Sequence, residues 1–353
     1  GRTMLGPRRG RSGERRQHPL RAAARGTLRL LVFLLLLLLF LATAGGLFVP
    51  GLGSLPTGGI SWIQGLPALW SRLVDEGTSQ GAPVHRPEPD LELPPRGAGT
   101  LRVHFLDVGQ ADAILVEFPG GETLLVDAGN NEDAAFLLAY LQRQGITHLD
   151  YVVGTHPHED HVGGLDAVLR NLSVGQLWLP RVAHPSETWR EVLRAARDQG
   201  LQAREPRAGL TWELSDGVTV YFLAPQAHQY EELNNVSAVL RVVYGATSLL
   251  LTGDAEAESE AEQLAAGYPL AATVLKVGHH GSASSTTPAY LRAVQPRYAV
   301  IMVGADNPYG HPHRETLARL REAGVRVLRT DRDGTIVLDL DGRQVTVVWP
   351  PPE

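Results

Sequence analysis

Between Thr155 and Gly164 the chain reads Thr-His-Pro-His-Glu-Asp-His-Val-Gly-Gly, which gathers His156, His158, Asp160 and His161 in one short loop. Imidazole with carboxylate, and no thiolate, admits either Zn²⁺ or Mn²⁺. His156 and His158 are two residues apart. That spacing turns both rings to one side of an extended segment, and Pro157 between them stiffens it. Asp160 and His161 turn with the first helical residues and face a second point. Two ligand pairs aimed at two neighbouring points form the layout of a dinuclear metal centre, which activates water for hydrolysis.

Other residues offer what this loop lacks. Asp127 closes the apolar run that begins at Thr123, where a carboxylate would orient the histidines. Asp254 follows Leu-Leu-Leu-Thr-Gly at the end of another apolar run. Open α/β sheets place functional groups at such strand ends, so Asp254 is the candidate for a carboxylate shared by two metals. The run from Ala272 to Val277 leads into Gly278-His279-His280-Gly281-Ser282. Adjacent side chains point to opposite sides of an extended chain. One of His279 and His280 is therefore expected to ligate and the other to face an anionic substrate. His311 is a candidate for substrate contact or proton transfer, and His313 for capping the helix after it. Lys276 is the only lysine in the chain and carries no assignment.

The elements around these residues alternate. Strands are expected at 101–107, 112–118 and 123–129, a helix at 132–144, and a strand at 149–154 that delivers the metal loop. A helix from Leu165, a strand at 176–179, a helix at 186–199 and a run of short strands to Leu223 follow. The second half repeats the pattern: strands at 234–243, 247–254, 272–277 and 297–303, helices at 255–265 and 315–323, and short strands around Asp331 to Gly334. Strand and helix in alternation predict a layered α/β domain.

Cysteine is absent, which excludes disulfides, thiolate metal sites and cysteine nucleophiles. The net charge of −6 is unevenly spread. Residues 1–29 hold nine arginines against Glu14, a balance of +8, so residues 30–353 carry −14. A body this acidic has no general polyanion-binding surface. Residues 28–49 form an apolar run of about twenty residues, long enough to span a bilayer. The arginines before it place that flank in the cytoplasm and the rest outside. Ala42-Thr43-Ala44 also fits a signal-peptide cleavage site, so membrane anchor and secreted product both stand. The expected organisation is a basic flank (1–27), the apolar segment (28–49), a Gly/Pro-rich linker (50–99) with a short amphipathic helix at 60–74, and a catalytic domain (100–353).

Several segments together resemble the metallo-β-lactamase fold, in particular the extracellular domain of ComEC competence proteins. They are Phe-Leu-Asp-Val-Gly-Gln (105–110), Leu-Leu-Val-Asp-Ala-Gly (124–129), the metal loop, Leu-Leu-Leu-Thr-Gly-Asp (249–254) and Leu-Lys-Val-Gly-His-His-Gly-Ser (275–282), with Asn-Val-Ser-Ala-Val-Leu (235–240) and Tyr-Gly-His-Pro-His (309–313) beside them. The resemblance implies an αββα sandwich with two divalent ions, Zn or Mn, at one edge. His156 and His158 would hold one ion and Asp160 and His161 the other. Asp254 would bridge them, and one of His279 or His280 would complete the second site. Gln110, Asn235 and Ser282 would support the ligands or face the substrate. Many relatives add a further histidine to the first ion where this chain has Asn235 and Ser237; His184 and His228 lie in Pro-rich loops away from that motif. ComEC proteins also carry a many-helix channel, whereas this chain has at most one span.

The reading that follows is an outward-facing metal-dependent phosphodiesterase or nuclease acting on DNA, with competence or DNA-uptake proteins as partners. Alternatives are a hydrolase of another ester or amide (a wall phosphoester such as phosphorylcholine, a lactone, a β-lactam) and a non-catalytic module with a vestigial site.

Overall fold

The computed structural model describes residues 91–351 other than Ser215 and His228. The arginine flank, the apolar run at 28–49, the helix expected at 60–74 and most of the linker lie outside the described residues. Among the described residues no helix is long and apolar enough to cross a membrane.

The first half begins with strands β1 (Leu101–Phe105), β2 (Ile114–Glu117) and β3 (Thr123–Val126), paired antiparallel in sequence. A 3₁₀ turn (Asn131–Asp133) and helix α1 (Ala134–Arg143) lead to β4 (His148–Val153). Then come α2 (Glu159–Val162), α3 (Leu165–Asn171), β5 (Ser173–Trp178) and α4 (Glu187–Asp198). β4 lies parallel to β3, and β5 parallel to β4.

The second half runs β6 (Thr211–Glu213), β7 (Val218–Ala224), a 3₁₀ turn (Leu233–Val236), β8 (Val239–Tyr244), β9 (Thr247–Leu251) and α5 (Ala257–Ala266). It continues with β10 (Val274–Lys276), a tight turn (Gly278–Gly281), α6 (Pro288–Val294), β11 (Tyr298–Ile301), α7 (Arg314–Glu322) and β12 (Arg326–Arg329). A short α8 (Thr330–Asp333) precedes β13 (Ile336–Leu340) and β14 (Val345–Trp349). One sheet has the order β14-β13-β1-β2-β3-β4-β5 and the other β12-β11-β10-β9-β8-β7-β6. Both are mixed.

The side-chain period of a strand explains the layering. In β1, Leu101, Val103 and Phe105 face the same cluster as Leu240 and Val242 of β8 and Leu249 and Leu251 of β9, so the two sheets pack face to face. The alternate residues Leu115, Leu125 and Val152 turn outward, onto Leu137 and Tyr140 of α1 and Val168 of α3. On the far side, Leu250, Leu275 and Ala299 meet Tyr290 and Leu291 of α6 and Leu320 of α7. These clusters are helix, sheet, sheet, helix, the αββα arrangement. Each Leu or Val so buried stabilises by about 1.5–3 kcal/mol relative to exposure.

Three expectations are corrected. α6 has no counterpart among the expected elements; Thr287 caps it, its side chain accepting from Tyr290 N, and Pro288 opens it. The segment around Asp331 is helical rather than stranded, because the Asp333 carboxylate accepts from Arg329 N and closes a turn. The last two strands do not extend the second half. β13 returns to pair antiparallel with β1 and completes the first sheet.

The topology also fixes where a site can form. β3 and β4 are parallel, as are β9 and β10. Asp127, the metal loop, Asp254 and the His279–His280 turn each follow the C-terminal end of one of these four strands.

Candidate metal centre

Four imidazoles converge on one oxygen. The Nε2 atoms of His156, His161, His279 and His280 lie 3.7, 3.2, 3.8 and 3.6 Å from Asp254 Oδ2. Each ring is aimed by a protein contact at its other nitrogen. His161 Nδ1 donates to Asp127 at 2.7 Å, His280 Nδ1 to the Met302 carbonyl at 2.9 Å and His279 Nδ1 to Glu256 at 2.9 Å. His156 Nδ1 lies 3.1 Å from Thr155 Oγ1 and 3.3 Å from Ser237 Oγ. Fixing one nitrogen leaves the other as a lone-pair donor of set direction, the usual support of a metal-ligating histidine.

Asp160 Oδ2 is 3.2 Å from His280 Nε2 and 3.7 Å from His161 Nε2. Asp160, His161, Asp254 and His280 therefore form a group whose ligand atoms all lie within 4.8 Å of one another. His158 stands beside His156, its Nδ1 3.1 Å from His156 Nε2. Its ring is also edge-on to His184 at 5.7 Å. The loop after β5 thus brings His184 to the metal loop, which its distance in sequence did not suggest. His228 lies outside the described residues.

This donor set fits a divalent cation. His161 Nε2 and Asp254 Oδ1 are buried with no hydrogen-bond partner, a costly arrangement unless another group satisfies them. Burial disfavours a charged His161. Even so, the carboxylates of Asp254, Asp160, Asp127 and Asp112 outweigh it and hold the pKa well above the usual histidine value. Burial likewise opposes ionisation of Asp254, but His161 and His280 hold its carboxyl well below the usual range. For His156, burial and then the neighbouring His161 push the pKa well down, keeping the ring neutral. A second close group, Asp112, Asp127 and His161, is support rather than a site. Asp112 is ion-paired with Lys276 at 2.5 Å, and His161 already spends Nδ1 on Asp127.

Both histidines of the adjacent pair face inward, contrary to the expectation of opposed directions. The turn is not extended: His279 and His280 have φ of 48° and 53°, in the left-handed region. That curl swings both rings to the same side. Gly253, with φ of 52°, makes the approach to Asp254 possible; a Cβ there would stand 3.1 Å from Ser237 and Thr155. In the metal loop, a Cβ on Gly163 would meet the backbone of Asn130 and Asn131 at 2.2 Å, so the loop can pack there only as glycine.

The remaining expected residues separate. Asp127 accepts from Thr155 N and Oγ1 as well as His161, tying β3 to the metal loop. Gln110 accepts from Gly304 N through Oε1, so its Nε2 donates to His311 Nδ1 at 3.2 Å. That assigns the His311 proton to Nε2. Burial, then His279 and His280, push the His311 pKa down to about 4. Asn235 is not at the site. Its Oδ1 accepts from Glu256 N and Ser259 N at the start of α5, because the 3₁₀ turn sends neighbouring side chains apart. Asn234 lines the cavity instead, with its Oδ1 buried and unpartnered. Ser282 bonds Ser284, two residues on, rather than facing the cavity. His313 occupies the N-cap of α7 but makes no side-chain cap; it braces Ala283 N and the Tyr309 carbonyl.

Three residues with no assignment from the sequence matter here. Lys276 is wholly buried, bound to Asp112, donating to the Gly253 carbonyl at 2.9 Å and 4.0 Å from Asp254 Oδ1. A lone lysine inside an apolar strand was the available signal. Glu256 orients His279, and Asp112 anchors Lys276; neither sits in a recognisable pattern. The cavity over the cluster holds about 240 Å³ and is bordered by Gln110, His158, Asn234, Tyr309 and His311.

The family model described as the metallo-β-lactamase superfamily matches residues 106–305. The chain belongs to that superfamily, and its fold is that of the superfamily's metal-dependent hydrolases. Among curated proteins it is similar to ComE operon protein 3 of Bacillus subtilis (strain 168), 34% identical over 269 residues, which cover 70% of this chain and 34% of that protein. It is also similar to competence protein ComA of Neisseria gonorrhoeae, 33% identical over 237 residues (66% and 31%). A third relative is recombination protein 2 of Haemophilus influenzae, 34% identical over 242 residues (67% and 28%). The resemblance to ComEC competence proteins read from the motifs is borne out. The chain spans about a third of the length of these relatives.

Proposed function

We propose that the chain is a dinuclear metal-dependent phosphodiesterase that cleaves DNA on the outer side of the membrane. The observation that carries this reading is the convergence of four Nε2 atoms on Asp254 Oδ2. His156 and His158 would hold one ion and Asp160, His161 and His280 the other, with Asp254 available to both. Two bound dications, Zn²⁺ or Mn²⁺, would lower the pKa of water to about 7 and neutralise phosphate charge that an acidic body repels. The protein's own part is orientation. Glu256, Met302 and Asp127 fix the rings, and Gln110 presents the Nε2 proton of His311 as a hydrogen-bond donor at the cavity. His279, the more exposed of the pair at 23%, stands where substrate oxygen would arrive. The competence relatives favour DNA as substrate and DNA-uptake proteins as partners.

The test is a panel: plasmid DNA, bis-p-nitrophenyl phosphate, p-nitrophenylphosphorylcholine and nitrocefin, each with Zn²⁺ and with Mn²⁺. Hydrolysis of DNA and of the simple diester, abolished by chelation, is the expected result. Turnover confined to nitrocefin or to the phosphorylcholine ester would replace this reading with another hydrolase.

The outward placement rests on the arginine flank and the apolar run at 28–49. Protease added to intact cells should degrade the catalytic domain; protection, while a known exterior protein is cleaved, would reverse the orientation.

A further inference from the structure

We propose that Tyr309 is a stacking platform for a nucleobase, so that the strand entering this site is single-stranded or frayed rather than paired. The proposal rests on the phosphodiesterase reading and names the form of substrate that it takes. Tyr309 is 64% exposed, and the other large hydrophobic side chains exposed among the described residues are two leucines. It borders the cavity above the histidine cluster. Its ring lies over that of His311 at 5.5 Å and 25°, and the His311 ring is in turn 5.5 Å from His279 and 6.4 Å from His280. One face of Tyr309 is covered by His311, and its exposure leaves the other open.

The loop that carries it is tied down. Asn307 Oδ1 accepts from Tyr309 N and His311 N, and its Nδ2 donates to the Gly304 and His311 carbonyls. The Tyr309 carbonyl receives His313 Nε2. An aromatic ring held in place and yet exposed is already ordered for its ligand, so binding loses little conformational entropy there.

The charge of the site points to the class of ligand. The cavity is bordered by no lysine or arginine, and residues 30–353 carry −14. Sequence-independent affinity for nucleic acid ordinarily comes from cationic contacts to phosphates. With those missing, the metals could hold only the phosphate being cleaved, and the general handle left for the rest of a nucleotide is the π-face of its base, which every base offers. A base inside a duplex already spends both faces on its neighbours, so this handle serves only an unpaired base.

The experiment measures KM and kcat for the wild type, Tyr309→Ala, Tyr309→Phe and Tyr309→Trp, metal-loaded, at fixed salt. The substrates are a single-stranded oligothymidylate, a strand of the same length carrying a stable tetrahydrofuran abasic analogue throughout, a blunt duplex, and bis-p-nitrophenyl phosphate. One stacked base is expected to lower the wild-type KM for the oligothymidylate about tenfold or more relative to the abasic strand. Tyr309→Ala should collapse that ratio towards one, while Tyr309→Phe and Tyr309→Trp should keep it. The wild type should also prefer the single strand to the duplex. If Tyr309→Ala keeps the base preference, or the wild type has none, or the duplex is the better substrate, the platform is overturned while the phosphodiesterase reading stands. If the wild type cleaves the simple diester but no nucleic acid, the assignment to DNA and the platform fall together.

Discussion

Asp254→Asn is expected to reduce phosphodiester hydrolysis by about 100-fold or more, since the loss amounts to several kcal/mol of transition-state stabilisation. The substitution keeps the shape of the side chain and removes the negative charge on which four imidazoles converge. The amide also replaces one carboxylate oxygen with a nitrogen that cannot ligate. At least one metal should bind more weakly. The fold should survive, because the contact that sets the turn is made by Asp254 N to Ser237 Oγ at 3.1 Å and is retained. Rates at saturating Zn²⁺ or Mn²⁺, with circular dichroism on the same samples, check this. Near wild-type turnover in a folded Asp254→Asn variant would rule out a shared-carboxylate mechanism.

Lys276→Met should act on stability first. The ammonium is wholly buried, 2.5 Å from Asp112 and 2.9 Å from the Gly253 carbonyl. Removing the ammonium leaves the buried Asp112 carboxylate with only the His161 and His280 rings near it, at 3.8 and 3.5 Å, and breaking a buried ion pair costs about 3–5 kcal/mol. For a domain of this size that corresponds to a fall in Tm of about 10 °C. Replacing both partners, as Asp112→Asn with Lys276→Met, should recover part of the loss, because no lone charge remains buried. Thermal melts of the two variants against the wild type make the comparison. A single variant melting within about 2 °C of the wild type would show that the pair contributes little.

The metal loop and Asp254 were legible because their chemistry is local. Ligand residues two and three apart after a strand state their purpose, and apolar runs ending at Asp127 and Asp254 mark strand ends, one in each sheet. The layered α/β class was equally readable from alternating strands and helices. Features set by distant contacts or by backbone curl were not readable. His279 and His280 look opposed in any extended reading, and only the left-handed turn reveals that both face Asp254. Asn234 and Asn235 differ by one position, and the 3₁₀ turn alone decides which meets the cavity and which caps α5. The approach of His184 to His158 depends on how the loop after β5 folds back. The return of β13 to β1 joins residues more than two hundred apart in sequence, a pairing that no local pattern announces. Lys276 was visible as an oddity, but its partner Asp112 lies on another strand's approach, and the pair exists only once the sheets face each other.

The dinuclear centre is tested most directly by metal content. Elemental analysis of purified protein, reconstituted with Zn²⁺ or Mn²⁺ and then desalted, should return two divalent ions per chain for the wild type, and fewer for Asp254→Asn prepared alongside. Metal at no more than background in the reconstituted wild type would contradict the dinuclear centre and the hydrolytic chemistry built on it.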